Sequence, residues 1–203
     1  MEKVRTAVLV SGGGTNLQAL IDASSRGEMP SVSIALVVSN KPGAYALTRA
    51  DNALIPRAVI ENGPDFEEEL SSLLKENGIE LIVLAGFLRI LSADFINEYA
   101  GRIINVHPSL IPSFCGKGFY GLRVHRAALE RGVKVTGATV HIVTEEADAG
   151  PILLQKAVDI EEGDTPEILQ RRVMEQAEWQ LLPRACELVA AAISKEKQEG
   201  SEL

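Results

Sequence analysis

Cysteine is scarce: the 203 residues hold two, Cys115 and Cys186, too far apart for a CxxC pair and too few for a disulfide framework. That excludes a stapled secreted scaffold and suits a reducing compartment, with both thiols read as packing or loop residues. Long hydrophobic runs are missing as well. No apolar stretch approaches the roughly 18 residues that a bilayer span needs, and the N-terminus lacks the basic stretch and cleavage site of a signal peptide. The expectation is a cytoplasmic protein with no membrane partner. Excess positive charge is also absent: 20 Lys and Arg face 28 Asp and Glu, a net charge of -8. Without a basic footprint, broad binding to nucleic acid is excluded, and any anion must be held locally. His107, His125 and His141 show no metal-ligand spacing with one another or with the cysteines, so no metal site is expected. There is no internal repeat and no low-complexity linker, and 46% apolar residues suffice for one core and a single domain.

What is present begins with a buried strand, Val4 to Val10, then Ser-Gly-Gly-Gly-Thr-Asn, then an apolar periodicity through Leu17, Leu20 and Ile21. This is strand, tight glycine loop, helix. Further strands are predicted over Val32 to Val38, Arg57 to Ile60, Ile79 to Leu84 and Arg102 to Val106, with helices near Ala44 to Ala53, Phe66 to Lys75 and Ala93 to Tyr99. Strands alternating with helices predict an α/β domain, a mostly parallel Rossmann-like sheet with helices on both faces. From Val135 to Val143 and Pro151 to Ile160 the pattern becomes a C-terminal β-hairpin extension turning through Asp148. A long C-terminal helix follows, capped by Thr165 with Pro166 behind it, bending at Pro183 and ending near Ile193. Residues 194–203 read as a polar, disordered tail.

Three consecutive glycines between strand and helix clear side chains from a ligand's approach, and the free N–H groups at the helix start can hold an anion such as phosphate. Thr15 and Asn16 add side-chain donors to a loop that has no lysine. The competing reading is a bare tight turn. A dinucleotide site fits less well, because Leu17 stands where that fingerprint has its third glycine and Ser39-Asn40 stands where it has its acid. Gly116-Lys117 is followed by Gly118 rather than Ser or Thr, so it is not a Walker A loop.

Asn105 and His107 lie two apart at a strand end, so both project from one face beyond the carboxyl end of the sheet, where ligands of open α/β sheets bind. An amide and an imidazole there can donate to an oxygen that gains charge during acyl transfer. Alternatively they satisfy loop backbone. Pro108 to Pro112 is a proline-locked segment that would fix their orientation. Of the other histidines, His125 reads as surface or supporting, and His141 as a strand residue facing packed groups. Glu145, Glu146 and Asp148 form either a solvated hairpin turn or, if the fold carries Asp148 to His107, part of the site.

Four segments together resemble the phosphoribosylglycinamide formyltransferases, the folate-dependent transformylases of purine synthesis. They are Val-Ser-Gly-Gly-Gly-Thr-Asn-Leu-Gln at the start, Leu-Ala-Gly-Phe-Leu-Arg-Ile-Leu at 84–91, Asn-Val-His-Pro-Ser-Leu-Ile-Pro at 105–112, and Val-Thr-Gly-Ala-Thr-Val-His-Ile-Val through Asp148-Ala-Gly at 135–150. The resemblance spans nearly the whole chain and implies a formyltransferase domain over 1–193. It implies Asn105, His107 and Asp148 as the catalytic trio, and Gly14, Thr15, Asn16 and Leu17 at the ribonucleotide phosphate. Leu88, Arg89, Ile90, Leu91 and Asn105, with Thr144, Glu145, Glu146, Ala147 and Asp148, are implied at 10-formyltetrahydrofolate. Glu178 matches the acid that contacts the glycinamide, with one extra residue before Pro183.

The stretch Ile60 to Phe66 lacks an arginine that some members use near the folate, and the loop Phe114 to Arg123 is longer than in some. The implied reaction moves a formyl group from the folate to the amine of glycinamide ribonucleotide, in a monomer or homodimer. A methionyl-tRNA formyltransferase would carry a further C-terminal domain and a basic surface. A formyltetrahydrofolate hydrolase would carry a regulatory domain before the strand that here starts at Val4, and a non-enzymatic nucleotide-binding module remains the rival of a different class.

Overall fold

Strand β1 (Val4–Val10) runs up the centre of the molecule, its side chains alternating between two apolar layers: Val4, Val8 and Val10 face one, Ala7 and Leu9 the other. In this computed structural model, which describes residues 2–201 and the side chains of 2–199, β1 pairs in parallel with β2 (Val32–Ser39) on one side. On the other it pairs in parallel with β4 (Leu81–Leu84). With β3 (Arg57–Val59), β5 (Ile103–His107), β6 (Val135–Ile142) and β7 (Ile152–Asp159), the sheet order is β3-β2-β1-β4-β5-β6-β7. The first five strands are parallel, and β6 and β7 are antiparallel additions. The order reverses between β1 and β4, so the crevice beyond their carboxyl ends is where a ligand can enter.

One face is covered by α1 (Thr15–Ser25), by α2 (Tyr45–Asn52), and by a long C-terminal helical arm whose Leu169, Val173, Leu182 and Cys186 join the same layer. The other face carries α3 (Phe66–Glu76) and α4 (Ala93–Glu98), which seal it with Phe66, Leu70, Leu74 and Phe95. Burying each such side chain contributes about 1.5–3 kcal/mol, so both layers rest on the continuous apolar runs that identify these strands in sequence. The Rossmann-like α/β expectation and the hairpin extension both hold.

Three differences from the sequence reading matter. Helix α5 (Leu122–Arg131) begins in the loop expected over 114–123 and runs on through residues to which the sequence pattern assigns no element. Its inner residues Val124, His125 and Ala128 give an apolar line broken by a histidine, which hides the periodicity. Its end is set by Gly132 in the left-handed conformation (φ 74°). His125, expected either at the surface or in a supporting place, is 0% exposed on that inner line, and neither ring nitrogen has a hydrogen-bond partner.

The C-terminal arm is α6 (Pro166–Val173), capped by the Thr165 hydroxyl as expected, then a π turn at Met174–Glu178, then α7 (Trp179–Ser201). The irregularity therefore lies ahead of Pro183, which sits inside α7. Finally, residues 194–201 are helical rather than a frayed tail. Ile193 and Ser194 are buried, Lys197 pairs with Glu80, and Arg102 lies 3.7 Å from Glu196, anchoring the end of α7 to the bottom of the sheet. Residues 202 and 203 lie outside the described residues.

Candidate active site

A cavity of about 480 Å3 opens above β1, β4 and β5, the size of a small-ligand pocket. Its floor is the glycine loop and the segment after β4, one wall is the end of β5 and the turn between β6 and β7, and the other is the π turn with Gln170.

At the floor, α1 starts without a cap: Gly14 (φ 70°) is its N-cap residue, no side chain caps the helix, and no acid stands in its first turn. The first N–H groups are thus free to meet an anion. The glycines divide their work. A Cβ on Gly12 or Gly13 would meet nothing within 4 Å, so these two leave room for a ligand. A Cβ on Gly14 would lie 2.6 Å from the Ala46 Cβ, so Gly14 is glycine because of its positive φ and its contact with α2, not because a phosphate must approach it. Thr15 and Asn16 line the cavity, whereas the Leu17 side chain is 0% exposed in the core and does not line it.

On the wall, Asn105 and His107 leave β5 on one face, and the antiparallel pairing of β5 with β6 sets His141 opposite Asn105. The turn between β6 and β7 then brings back Asp148, itself at φ 57°. Asp148 Oδ2 lies 3.5 Å from His107 Nδ1 and accepts the Gly116 N–H at 2.8 Å. Its Oδ1 lies 3.5 Å from both Asn105 Nδ2 and His141 Nε2. Burial alone would raise the Asp148 carboxyl, but the hydrogen bond with His141, the charge of His107 and the Gly116 N–H outweigh it and hold it below the ordinary carboxylate range. A carbonyl can only accept, so His107 Nε2 carries the proton that reaches the Phe114 carbonyl at 2.9 Å. By the same logic His141 Nδ1 donates to the Ile142 carbonyl, and its Nε2 stands 3.2 Å from Asn105 Nδ2. The fold thus brings amide, imidazole and carboxylate to one corner of the cavity.

The remaining expected residues divide. Leu88 and Ile90, exposed by 56% and 73%, line the cavity with the buried Leu91, an apolar lip open to a flat ring system. Arg89 stacks on the Phe66 ring (4.3 Å) and places Nη1 3.3 Å from Asn62 Oδ1, so a guanidinium does cover the stretch 60–66 that lacks its own arginine. Thr144, Glu145, Ala147 and Asp148 reach the cavity; Glu146 is exposed and does not line it. Glu178 is 6% exposed, and its Oε2 accepts from Asn16 Nδ2 at 2.7 Å. Burial pushes its carboxyl up to about 7, and the Asn16 bond offsets only part of that. The sequence reading did not anticipate Gln170, Met174 or the loop backbone at Phe114 and Gly116, since helix faces and backbone groups carry no residue-type signal. Among the described residues no cluster of three or more His, Cys, Asp or Glu could hold a metal, and no helix is long and apolar enough to cross a membrane.

A family described as formyl transferase matches residues 4–186. The trifunctional purine biosynthetic protein adenosine-3 of Gallus gallus is 47% identical over 194 residues, 93% of this chain but 19% of that protein. The chain thus spans about a fifth of the length of such relatives. The phosphoribosylglycinamide formyltransferase of Haemophilus influenzae is 43% identical over 90% of this chain and 84% of its own. The crystal structure of glycinamide ribonucleotide transformylase 1 from Symbiobacterium toebii superposes with a TM-score of 0.87 at 39% identity, covering 94% of this chain and 89% of that one.

Proposed function

Because the chain belongs to the formyl transferase family, we propose that it transfers the formyl group of 10-formyltetrahydrofolate to the amine of glycinamide ribonucleotide, in purine biosynthesis. The observation that carries the reading is the approach of the Asn105 amide and the His107 ring to the Asp148 carboxylate, both at 3.5 Å, at one end of a cavity whose other end is an uncapped helix start. The ribonucleotide phosphate sits at Gly12–Asn16 with Glu178 toward the glycinamide, and the pterin lies along Leu88–Leu91 and Thr144–Asp148.

The amine lone pair attacks the formyl carbon, a C–N bond forms, and the carbonyl oxygen becomes an oxyanion. The Asn105 amide and the protonated His107 face that oxyanion. The Phe114 carbonyl at Nε2 supports this, since it is the same kind of acceptor as a formyl oxygen. The new nitrogen gives up a proton, folate N10 gains one, and the bond from N10 to carbon breaks, leaving formylglycinamide ribonucleotide and tetrahydrofolate. Asp148 pairs with the imidazolium and relays the proton by way of water. An amide, an imidazole and a carboxylate suffice for these steps, so the proposal calls for no metal. The same reading puts the enzyme in the cytoplasm as a monomer or homodimer acting on two small molecules.

Following loss of 10-formyltetrahydrofolate with and without glycinamide ribonucleotide decides the matter. Loss only with the ribonucleotide is expected. Loss without it would make the protein a hydrolase, and no loss at all would leave a binding module.

A further inference from the structure

We infer that Arg49, on α2, is a positioning residue for the anion site: it turns the peptide groups of the glycine loop so that their N–H groups face the substrate phosphate. The inference rests on the phosphate reading of that loop given above and adds to it a residue outside the cavity lining.

Three contacts dock the loop on α2. The Ala46 N–H donates to the Gly12 carbonyl at 3.0 Å, Arg49 Nε donates to the Gly13 carbonyl at 2.8 Å, and Gly14 packs so closely on Ala46 that no Cβ fits between them. A trans peptide group points its C=O and its N–H in opposite directions. Holding the carbonyls of Gly12 and Gly13 toward α2 therefore directs the N–H groups of Gly13 and Gly14 away from it, to the side where the loop lines the cavity. Left free, the same two carbonyls could swing toward an anion and repel it. The Gly12 carbonyl is held by a backbone group, so its orientation is independent of side-chain identity. The Gly13 carbonyl depends on one side chain.

Arg49 is itself fixed. Its Nη1 donates to Gln18 Oε1 at 2.9 Å, tying it to the first turns of α1, and its guanidinium lies 5.0 Å from the Tyr45 ring centroid. The planar fork spans loop and helix at once, which a lysine ammonium cannot do. It also brings a positive charge behind a loop that has no lysine, in a chain whose net charge is -8. Arg49 touches no reacting atom, so its effect is confined to how tightly the phosphate is held.

The test compares glycinamide ribonucleotide with its dephosphorylated riboside, at saturating 10-formyltetrahydrofolate, in the parent, Arg49→Gln and Arg49→Lys. The parent is expected to prefer the ribonucleotide strongly. Arg49→Gln should raise KM for the ribonucleotide about tenfold, the scale of a lost hydrogen bond to a charged group. It should leave kcat and the riboside KM within about twofold, and likewise the folate KM when folate is varied at saturating ribonucleotide, and Arg49→Lys should fall between the two because charge returns without the fork. A ribonucleotide KM that does not move, an equal rise for both substrates, or a loss confined to kcat overturns the role of Arg49. If Arg49→Gln does not fold, Gln18→Leu removes only the second tether and should raise the ribonucleotide KM alone by a smaller factor; no rise overturns the proposal. A parent that treats riboside and ribonucleotide alike overturns the phosphate reading itself, and is distinct from a parent that discriminates while its variants do not.

Discussion

Replacing Glu178 by Gln keeps the shape of the cavity wall and an oxygen for Asn16 to donate to, while removing a carboxyl that burial has pushed from 4.5 up to about 7. An unfolded chain releases the Glu178 proton near 4.5; the folded chain keeps it to about 7. Between those values the folded state binds more protons, so stability falls as pH rises, by about 1.4 kcal/mol for each step of one in pH and roughly 3 kcal/mol in all. His125 runs the opposite way. Burial first, and the charge of His107 second, lower its ring from 6.5 to about 4, so the unfolded chain takes up a proton that the folded chain refuses, and stability falls as pH drops through that window. Where the two windows overlap the slopes oppose and the parent's own profile is flattened. The measurement must therefore be a difference: urea unfolding of parent and Glu178→Gln at pH 5 and pH 8. The variant should gain on the parent by roughly 2.5 kcal/mol more at pH 8 than at pH 5, at about 1.4 kcal/mol for each tenfold difference in proton affinity between folded and unfolded chains, while its KM for the ribonucleotide rises. A gap that is the same at both pH values refutes the reasoning.

Asn105→Ala and His107→Ala should each lower kcat by about a hundredfold or more, the scale of a lost oxyanion donor, with folate binding intact by calorimetry; rates within a few-fold of the parent would make the pair structural. Asp148→Asn should lose turnover on a similar scale of about a hundredfold, the range of positioned proton transfer. Because the Asp148 carboxyl titrates below its ordinary range, the parent loses that stabilisation as pH falls below the ordinary carboxylate value, and acid unfolding of Asp148→Asn should lack the loss. Gly13→Ala should keep its unfolding midpoint and raise KM for the ribonucleotide, since its Cβ enters open space in the loop. Gly14→Ala, at φ 70° and 2.6 Å from the Ala46 Cβ, should cost about 2 kcal/mol or more in urea unfolding. Equal stability in the two glycine variants would contradict the docking of the loop on α2.

Much of the site is legible in the sequence where its signal is local. β1, the glycine loop and α1 form one continuous stretch, and Asn105 and His107 share a face by strand geometry alone. Asp148 is not legible in this way: it lies 43 residues beyond Asn105, and only the antiparallel pairing of β5 with β6 returns it to the site. From sequence it can be placed there only by resemblance. His125 misleads because a polar residue on an inner helix face breaks the apolar periodicity that marks the helix. Leu17 follows the loop motif in sequence but, one residue past Asn16, has already turned into the core. The charged segment after Ile193 reads as solvated from composition, and its anchoring partners, Glu80 and Arg102, lie in distant parts of the chain.

The π turn at Met174–Glu178 bears on how the C-terminal arm can change length over evolution. From Leu169 the buried apolar residues recur every fourth position, Val173, Ala177, Leu181, Ala185, Val189 and Ile193, whereas each α-helical residue advances about 100°, so four overshoot a full turn by about 40°. A straight helix would carry this stripe away from the sheet. Between Val173 and Ala177 the wider turn takes back part of the overshoot, and beyond it the stripe doubles, with Leu182, Cys186 and Ala190 buried beside it. An added residue is thereby confined to one bulge, with α6 and α7 both still seated and Glu178 still reaching Asn16. The arm behaves as a ratchet with a one-residue tooth: deleting the exposed Gln176 should convert the bulge to ordinary helix and leave the contacts of α7 in place, a change of length absorbed without a change of site.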